Sequence, residues 1–265
     1  MTTGDTAELQ RLLEEQRRRI EEVERRFESL AKVVIPIGVA LLNSSNFQEL
    51  LEIILLRAMD LCHADGGTLY LCDDQKHLRF AILRNRSLGV ALGGTSGAAI
   101  PFDPLPLVDA KTGTPNHRNV ATYAAVTGRT VNIRDAYDTS AGFEFSGTKA
   151  FDSQSGYRSM SFLTVPLANN GGRVIGVLQL INATDPESRN VVAFEPGVEP
   201  VVESLSTLAA AALEVCLREE GLRREIRELH VRIDQGKRER EVAAIADSDY
   251  FQDLQRKVRQ MRERS

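Results

Sequence analysis

The chain has 265 residues, of which 42% are hydrophobic, and its 33 Lys and Arg stand against 37 Asp and Glu for a net charge of −4. That length fits one domain of ordinary size with extensions, and the composition is that of a chain with a proper core. The net charge gives no sign of the concentrated basic surface that binds phosphate backbones, and no run approaches the roughly 20 apolar residues that span a bilayer. No nucleic-acid or membrane partner is therefore expected.

The first residues, MTTGDTAELQRLLEEQ, lack the basic-then-apolar layout of a signal peptide. Three widely spaced cysteines, Cys62, Cys72 and Cys216, make no secreted disulfide framework. Together these features point to a cytoplasmic protein.

Taken in chain order, residues 1–33 are crowded with Glu and Arg and nearly free of Gly and Pro. Leu9, Leu13, Ile20, Val23, Phe27, Leu30, Val34, Ile37 and Leu41 step by fours and threes once Gln16 is included, which is the heptad pattern of a coiled coil. A helix this charged cannot bury its own apolar stripe, so a partner helix is implied. Pro36 predicts a kink or short break near Ile35.

Residues 34–216 carry the globular domain. Phe47–Cys62 has apolar residues at helical spacing, with Asn46 as its cap. Gly67–Cys72 and Leu78–Leu83 read as two strands joined at 73–76. A long Gly- and Pro-rich loop over Gly93–Thr114 follows, of the kind that completes a pocket wall. His117–Val126 is a short helix and Thr130–Ile133 a third strand. Ser161–Leu167 and Arg173–Ile181 alternate apolar and polar residues across the turn Ala168–Gly172, the pattern of an antiparallel hairpin. The polar stretch before that hairpin, with its scattered aromatics, has the composition of a pocket cover. Glu199–Arg218 closes the domain as a helix. Hairpins with helices before and after define an α+β class.

The last segment, 217–265, continues the heptads: Leu205, Leu208, Ala212, Val215, Leu222, Ile226, Leu229 and Ile233 keep one phase, with Glu219 in the missing position. The phase decays after Gly236, and Asp247, Ser248 and Asp249 offer N-cap chemistry for a further helix, continuous or folded back. Heptads at both ends of one domain favour a parallel homodimer.

Three segments carry a family resemblance. Asp65–Leu71 looks like the first strand of a GAF domain. Gly128–Tyr137 looks like its TGxxxNIPDAY element, with Arg134 in place of proline. Ser155–Ser159 looks like its TGFRT/S element. The central domain thus resembles the GAF domains of cyclic-nucleotide phosphodiesterases, and especially those ahead of bacterial adenylate cyclases and HD-type phosphohydrolases. That resemblance implies the GAF fold, a small-molecule sensor with cAMP or cGMP as candidate ligand, and an output protein elsewhere.

It also implies ligand contacts at Thr68, Leu83, Ala121, Asp152, Ser155, Arg158, Ser159 and Gln179. A buried Gln179 could read an amide-like edge with both donor and acceptor. For a phosphate, the amides opening the His117–Val126 helix, Arg118 or Arg158 are the candidates. The family's N-K…F…D-E signature is met by Asn182, Phe194 and Glu199, while Ala183 and Val198 replace its lysine and aspartate. Both charges go together, so neither is stranded.

The bland alternatives are strand hydroxyls bonded to backbone, a turn role for Asp152, a structural Arg158, and a ligand-free scaffold for dimerisation. Enzymatic readings are weak. A redox GAF enzyme needs cysteines around its pocket, and none falls between Asp73 and Val215. Cys62-His63 reads as packing beside a surface histidine. His77 and His117 lack zinc-ligand spacing, and no acid–base pair is evident.

Overall fold

The computed structural model describes residues 11–21, 47–138 and 142–246, with scattered helical positions between 24 and 39 and between 257 and 262. The chain forms two units, Met1–Cys216 and Leu217–Ser265.

The first unit is organised by helix α1, Phe47–Leu61, whose Leu50, Leu51, Ile54, Leu55, Ala58 and Met59 recur every three or four residues and are all buried. Such a stripe needs an apolar surface to cover, and the sheet supplies it. The strands are β1 (Ala64–Cys72), β2 (His77–Asn85), β3 (Val90–Gly93), β4 (Leu105–Pro106), β5 (Val131–Ile133), β6 (Phe162–Ala168), β7 (Val174–Thr184) and β8 (Val191–Val192). Their order is β3-β2-β1-β7-β6-β5, with β4 added to β2 and β8 to β7, and the pairings are antiparallel. Helix α2 (Val120–Thr127) precedes β5, α3 (Ser146–Ser155) precedes β6, and α4 spans Glu199–Ala246. The α+β class stands.

Period-two alternation gives the sheet two faces. Leu69, Leu163, Val165, Leu167, Leu178 and Leu180 point to the face covered by α1 and by Val202, Leu205, Ala209 and Leu213 of α4. Tyr70, Val177 and Phe162 point the other way, toward α2 and the segments around it. A bulge in β2 breaks the alternation: Leu69 pairs with Ile82 but Tyr70 with Phe80, so Ala81 is extra. Inserting one residue reverses the side-chain phase. Phe80 and Leu83, three apart, therefore both reach the second face. Gly93 sits against this bulge with φ +65°, and a Cβ there would fall 2.3 Å from the Ala81 carbonyl oxygen.

Several expectations need correction. Helix α3 lies within the stretch expected as a loop, and the short strands β3, β4 and β8 were not expected. The α3 sequence SGTKAFDSQS is polar and buries only Asp152, so it shows no apolar stripe. Ile35 and Pro36 are helical, and the residues on either side of them, where a kink or short break would show, lie outside the described residues. Where the heptad phase decays after Gly236, α4 itself continues to Ala246. Asn46 and Asp247–Asp249 lie outside the described residues.

One stretch within Pro196–His230 is long and apolar enough, by length and composition, to cross a membrane. Its buried side chains Val202, Leu205, Ala209, Ala212 and Leu213 belong to the main core cluster. On the same helix Glu203 accepts a hydrogen bond from Thr130 Oγ1 at 2.6 Å, and Glu214 accepts one from Asn169 Nδ2 at 2.8 Å. These are the contacts of a core helix.

In the second unit, Leu222, Ile226, Leu229 and Ile233 of α4 are each about half exposed, at 49–54%.

Candidate functional site

The second face of the sheet is not filled. A cavity of about 360 Å³ lies over it, within the range of small-molecule pockets. Its floor is one cross-strand row: Leu83 pairs with Thr68, Thr68 with Gln179, and Gln179 with Thr164. Phe80 and Tyr70 extend that floor, with ring centroids 4.7 Å apart. The long loop contributes Phe102, Asp103 and Leu105, the start of α2 contributes Val120 and Ala121, and the cover contributes Phe145 and Phe151. Rings continue from floor to cover, Phe80 to Phe102 at 5.3 Å and Phe102 to Phe151 at 6.4 Å.

Polar groups around the cavity are mostly engaged within the protein. Gln179 Oε1 accepts from the Tyr70 hydroxyl at 3.1 Å, and its Nε2 donates to Thr164 Oγ1 at 3.2 Å. Burial pushes the Tyr70 hydroxyl's pKa well above the ordinary tyrosine value, so it stays a neutral donor. Tyr157 donates to Asp65 Oδ2 at 2.6 Å, and burial followed by that carboxylate raises its pKa too. Arg84 holds Glu52 through two 2.7 Å bonds and donates as well to the carbonyls of Leu83, Leu92 and Gly93. The Arg84 bond leads the causes that lower the pKa of Glu52.

The cover is fastened at two points. Asp152, 4% exposed, accepts from Ser159 Oγ and Ser159 N at 2.8 Å each and from the Tyr137 hydroxyl at 2.7 Å. Asn182, at φ +56°, accepts from Met160 N at 2.7 Å and Ser161 N at 3.2 Å, and donates to Arg158 O at 2.8 Å. Beside the cover, Asn132 of β5 donates to Phe194 O at 3.1 Å and to Glu199 Oε1 at 2.8 Å. That bond ties the strand beside the cover to the first residue of α4.

Of the eight residues expected to touch ligand, Thr68, Leu83, Ala121, Ser159 and Gln179 line the cavity. Asp152, Ser155 and Arg158 do not. The carboxylate of Asp152 is consumed by the cover. Ser155 Oγ donates to Phe151 O at 2.8 Å, closing the end of α3. Arg158 lies over the Tyr137 ring at 4.4 Å, with its side chain 65% exposed and 3.9 Å from Asp135. Arg118, the other phosphate candidate, is 71% exposed and 3.9 Å from Asp109. The α2 helix starts at Val120, later than expected, and no side chain caps it.

Ala183 and Val198, which replace the signature's charged pair, both belong to the apolar core. Phe194 is buried there with them, while Glu199 takes the Asn132 bond.

The sequence reading missed the aromatic wall of Tyr70, Phe80, Phe102 and Phe151. Spacing alone could place Tyr70 with Thr68, two residues apart on β1. The bulge that turns Phe80 inward has no mark in the sequence.

Among the described residues no group of three His, Cys, Asp or Glu could hold a metal. None of the three cysteines is in a disulfide, and burial pushes the Cys62 thiol up to about 12.

The family model for the GAF domain matches residues 46–213. The chain belongs to the GAF domain family. The α+β architecture is the GAF fold that the sequence resemblance implied. GAF domains are typically small-molecule sensing and signalling modules and are generally regulatory rather than catalytic.

Among solved structures, the GAF domain of a phosphoenolpyruvate-protein phosphotransferase from Coxiella burnetii is similar at 16% identity and a TM-score of 0.52, covering 74% of this chain and 98% of that one. The corresponding Acinetobacter domain is similar at 16% identity and 0.48, covering 73% and 95%. The A. aeolicus nlh2 GAF domain, described as in an inactive state, is similar at 14% and 0.45, covering 72% and 98%. No curated protein matches the chain.

Proposed function

We propose that this chain is a cytoplasmic, non-enzymatic sensor in which a small ligand, held in the GAF cavity, alters the pairing of two copies and so an output protein. The observation that carries this reading is the aromatic-walled cavity under a cover that is fastened by hydrogen bonds to Asp152 and Asn182 and by one small apolar cluster around Phe145 and Phe162. A ligand bridging Phe102, Phe151 and the sheet would favour the closed cover. The Asn132 bond offers a route from the strand beside that cover to the start of α4. A ligand can shift such an equilibrium only by its differential affinity for the two states.

Dimerisation is supported by the half-exposed Leu222, Ile226, Leu229 and Ile233, whose heptad spacing would be covered by the same face of a second, parallel copy. Sedimentation should give a dimer that Leu222→Asp with Leu229→Asp converts to monomer; a wild-type monomer would overturn this part.

cAMP or cGMP is the finer assignment carried by the family resemblance. Against it stand Ala183 and Val198 in the signature and an Arg84 whose donors are taken. The second reading, a ligand-free scaffold, is favoured by the internal bonding of Gln179, Ser159 and Arg84, which leaves few polar groups waiting for a ligand. Thermal stabilisation across nucleotides and metabolites decides between them. Ligand at a hundred times its dissociation constant adds ~2.7 kcal/mol, whereas silence across a broad panel favours the scaffold. A triple cysteine-to-serine variant is expected to keep whatever ligand response the wild type shows, and its loss would revive a redox role.

A further inference from the structure

We infer that the cavity selects an organic cation, an ammonium group carried on an apolar or aromatic body, over an anion of similar size. This rests on the sensor reading of the same cavity and adds the charge class of its ligand.

The first argument is the state of the cavity's cations. Among the described residues Arg84 is the single Lys or Arg on its wall. A guanidinium has five N–H donors. Those of Arg84 are directed to both oxygens of Glu52 and to three backbone carbonyls, at 2.7–3.2 Å. An anionic ligand could recruit them only by breaking bonds to Glu52, whose side chain is 18% exposed, or to those carbonyls. The one other positive feature on the wall is the amide end of α2, a helix of only eight residues.

The second argument is the opposite charge. Asp103 and Glu144 also line the cavity, and among the described residues neither forms an ion pair. The Glu144 carboxylate accepts a hydrogen bond from the Ser146 hydroxyl at 2.9 Å, and its backbone N–H donates to Arg118 O at 2.8 Å. Both are exposed, so they sit where a ligand would meet solvent. The wall's unneutralised charge is therefore negative.

The third argument is the shape of the aromatic wall. Tyr70, Phe80, Phe102 and Phe151 follow one another at interplanar angles of 51°, 45° and 74°. A planar base seeks parallel faces between which to stack, and successive rings here are tilted. Tilted rings around a void, with carboxylates at the edge, are the surroundings in which an ammonium group is attracted to ring faces.

Three probes that share one ring test this: benzyltrimethylammonium, benzyl alcohol and benzoate. Cyclic AMP is added as a fourth. Each is titrated calorimetrically into the full chain and into a variant combining Asp103→Asn with Glu144→Gln. Both positions are exposed, and the Asp103→Asn single variant serves if the pair misfolds.

The cation should bind about tenfold more tightly than the alcohol, the gain expected of desolvated cation–ring and carboxylate contacts, with benzoate weakest. That preference should shrink to about threefold or less in the variant. Benzoate or cyclic AMP binding as tightly as the cation overturns the inference, as does a preference unchanged in the variant. Equal binding of alcohol and cation overturns the charge class while leaving a ligand-binding cavity. Binding of none of the four to folded protein overturns the inference, while the sensor reading falls only with silence across the broad nucleotide and metabolite panel.

Discussion

The two faces of the sheet are built on opposite plans. Of the largest side chains that are less than 2% exposed, all but Leu78 belong to the cluster under α1 and α4. There the sheet is sealed by interlocking apolar groups, closely enough that a Cβ on Gly67 would come within 2.8 Å of Leu55 Cδ1. The other face keeps a void and is closed by two smaller apolar clusters together with hydrogen bonds to Asp152 and Asn182. The contrast separates two tasks that compete in one small domain. Close packing has one favoured arrangement, whereas a cover held by a few polar bonds can open at a cost comparable to a ligand's binding energy. The first face carries stability and the second can carry response.

The comparison breaks most easily with paired truncations. Leu180→Ala removes a side chain with no exposed surface from the packed face, and should cost about 3–4 kcal/mol in denaturant unfolding, because the void left there cannot collapse. Leu83→Ala, on the cavity floor, only enlarges a space that already exists and should cost about 1 kcal/mol. Equal losses would mean that the cavity face is packed as tightly as the other, and the division of tasks would fall.

A smaller effect probes the charged pair between the faces. Glu52→Gln leaves Arg84 with its carbonyls but without its counter-charge, at about 3 kcal/mol, the lower end for breaking a buried pair because Glu52 is partly exposed. Bonds from Arg84 and then Thr95 hold the folded carboxyl below its ordinary value of 4.5. A depressed folded value means that the stabilisation is fully present above the unfolded value and is lost as pH falls through the folded one. Wild type should therefore lose stability on acidification below about pH 4.5 more steeply than Glu52→Gln. Parallel pH profiles would show that the pair contributes nothing.

Asp152→Ala tests the cover itself. Three donors lose their acceptor, two of them on buried Ser159, and the loss should be about 2 kcal/mol since Tyr137 can turn to water. Hydrogen exchange should rise in α3 and in residues 156–160 while α1 and β7 stay protected. Uniform exchange across both faces would contradict a separately fastened cover.

How far the sequence could be read follows the same division. Elements on the packed face were legible to within a few residues, because burial against helices writes its period into the chain: Leu50, Ile54 and Leu55 on α1, and Leu178 and Leu180 on β7. On the cavity face the signal fades. The α3 helix buries only Asp152 and shows no stripe. The bulge at Ala81 reverses the phase of β2 without any unusual residue, which hid Phe80. Of the five family-derived positions on the cavity wall, strand pairing fixes Thr68, Leu83 and Gln179, whereas Ala121 reaches it from α2 and Ser159 from the cover. Asp152, Ser155 and Arg158 lie in the cover, where hydrogen bonds set side-chain direction and period carries no information.

Arg158 gives the smallest and sharpest expectation. A lone arginine in the cover next to an expected ligand is an attractive phosphate contact, and on that view Arg158→Ala would weaken binding strongly. Its guanidinium instead lies 4.4 Å from the centre of the Tyr137 ring, with Asp135 at 3.9 Å and its side chain 65% exposed. Exposed cation–ring and ion-pair contacts are each worth about 0.5 kcal/mol. The backbone carbonyl that Asn182 holds survives the substitution. Arg158→Ala should therefore lower stability by about 1 kcal/mol or less and leave the affinity of any cavity ligand within twofold. A tenfold loss of affinity would bring Arg158 into the site and place the binding chemistry at the cover rather than on the sheet.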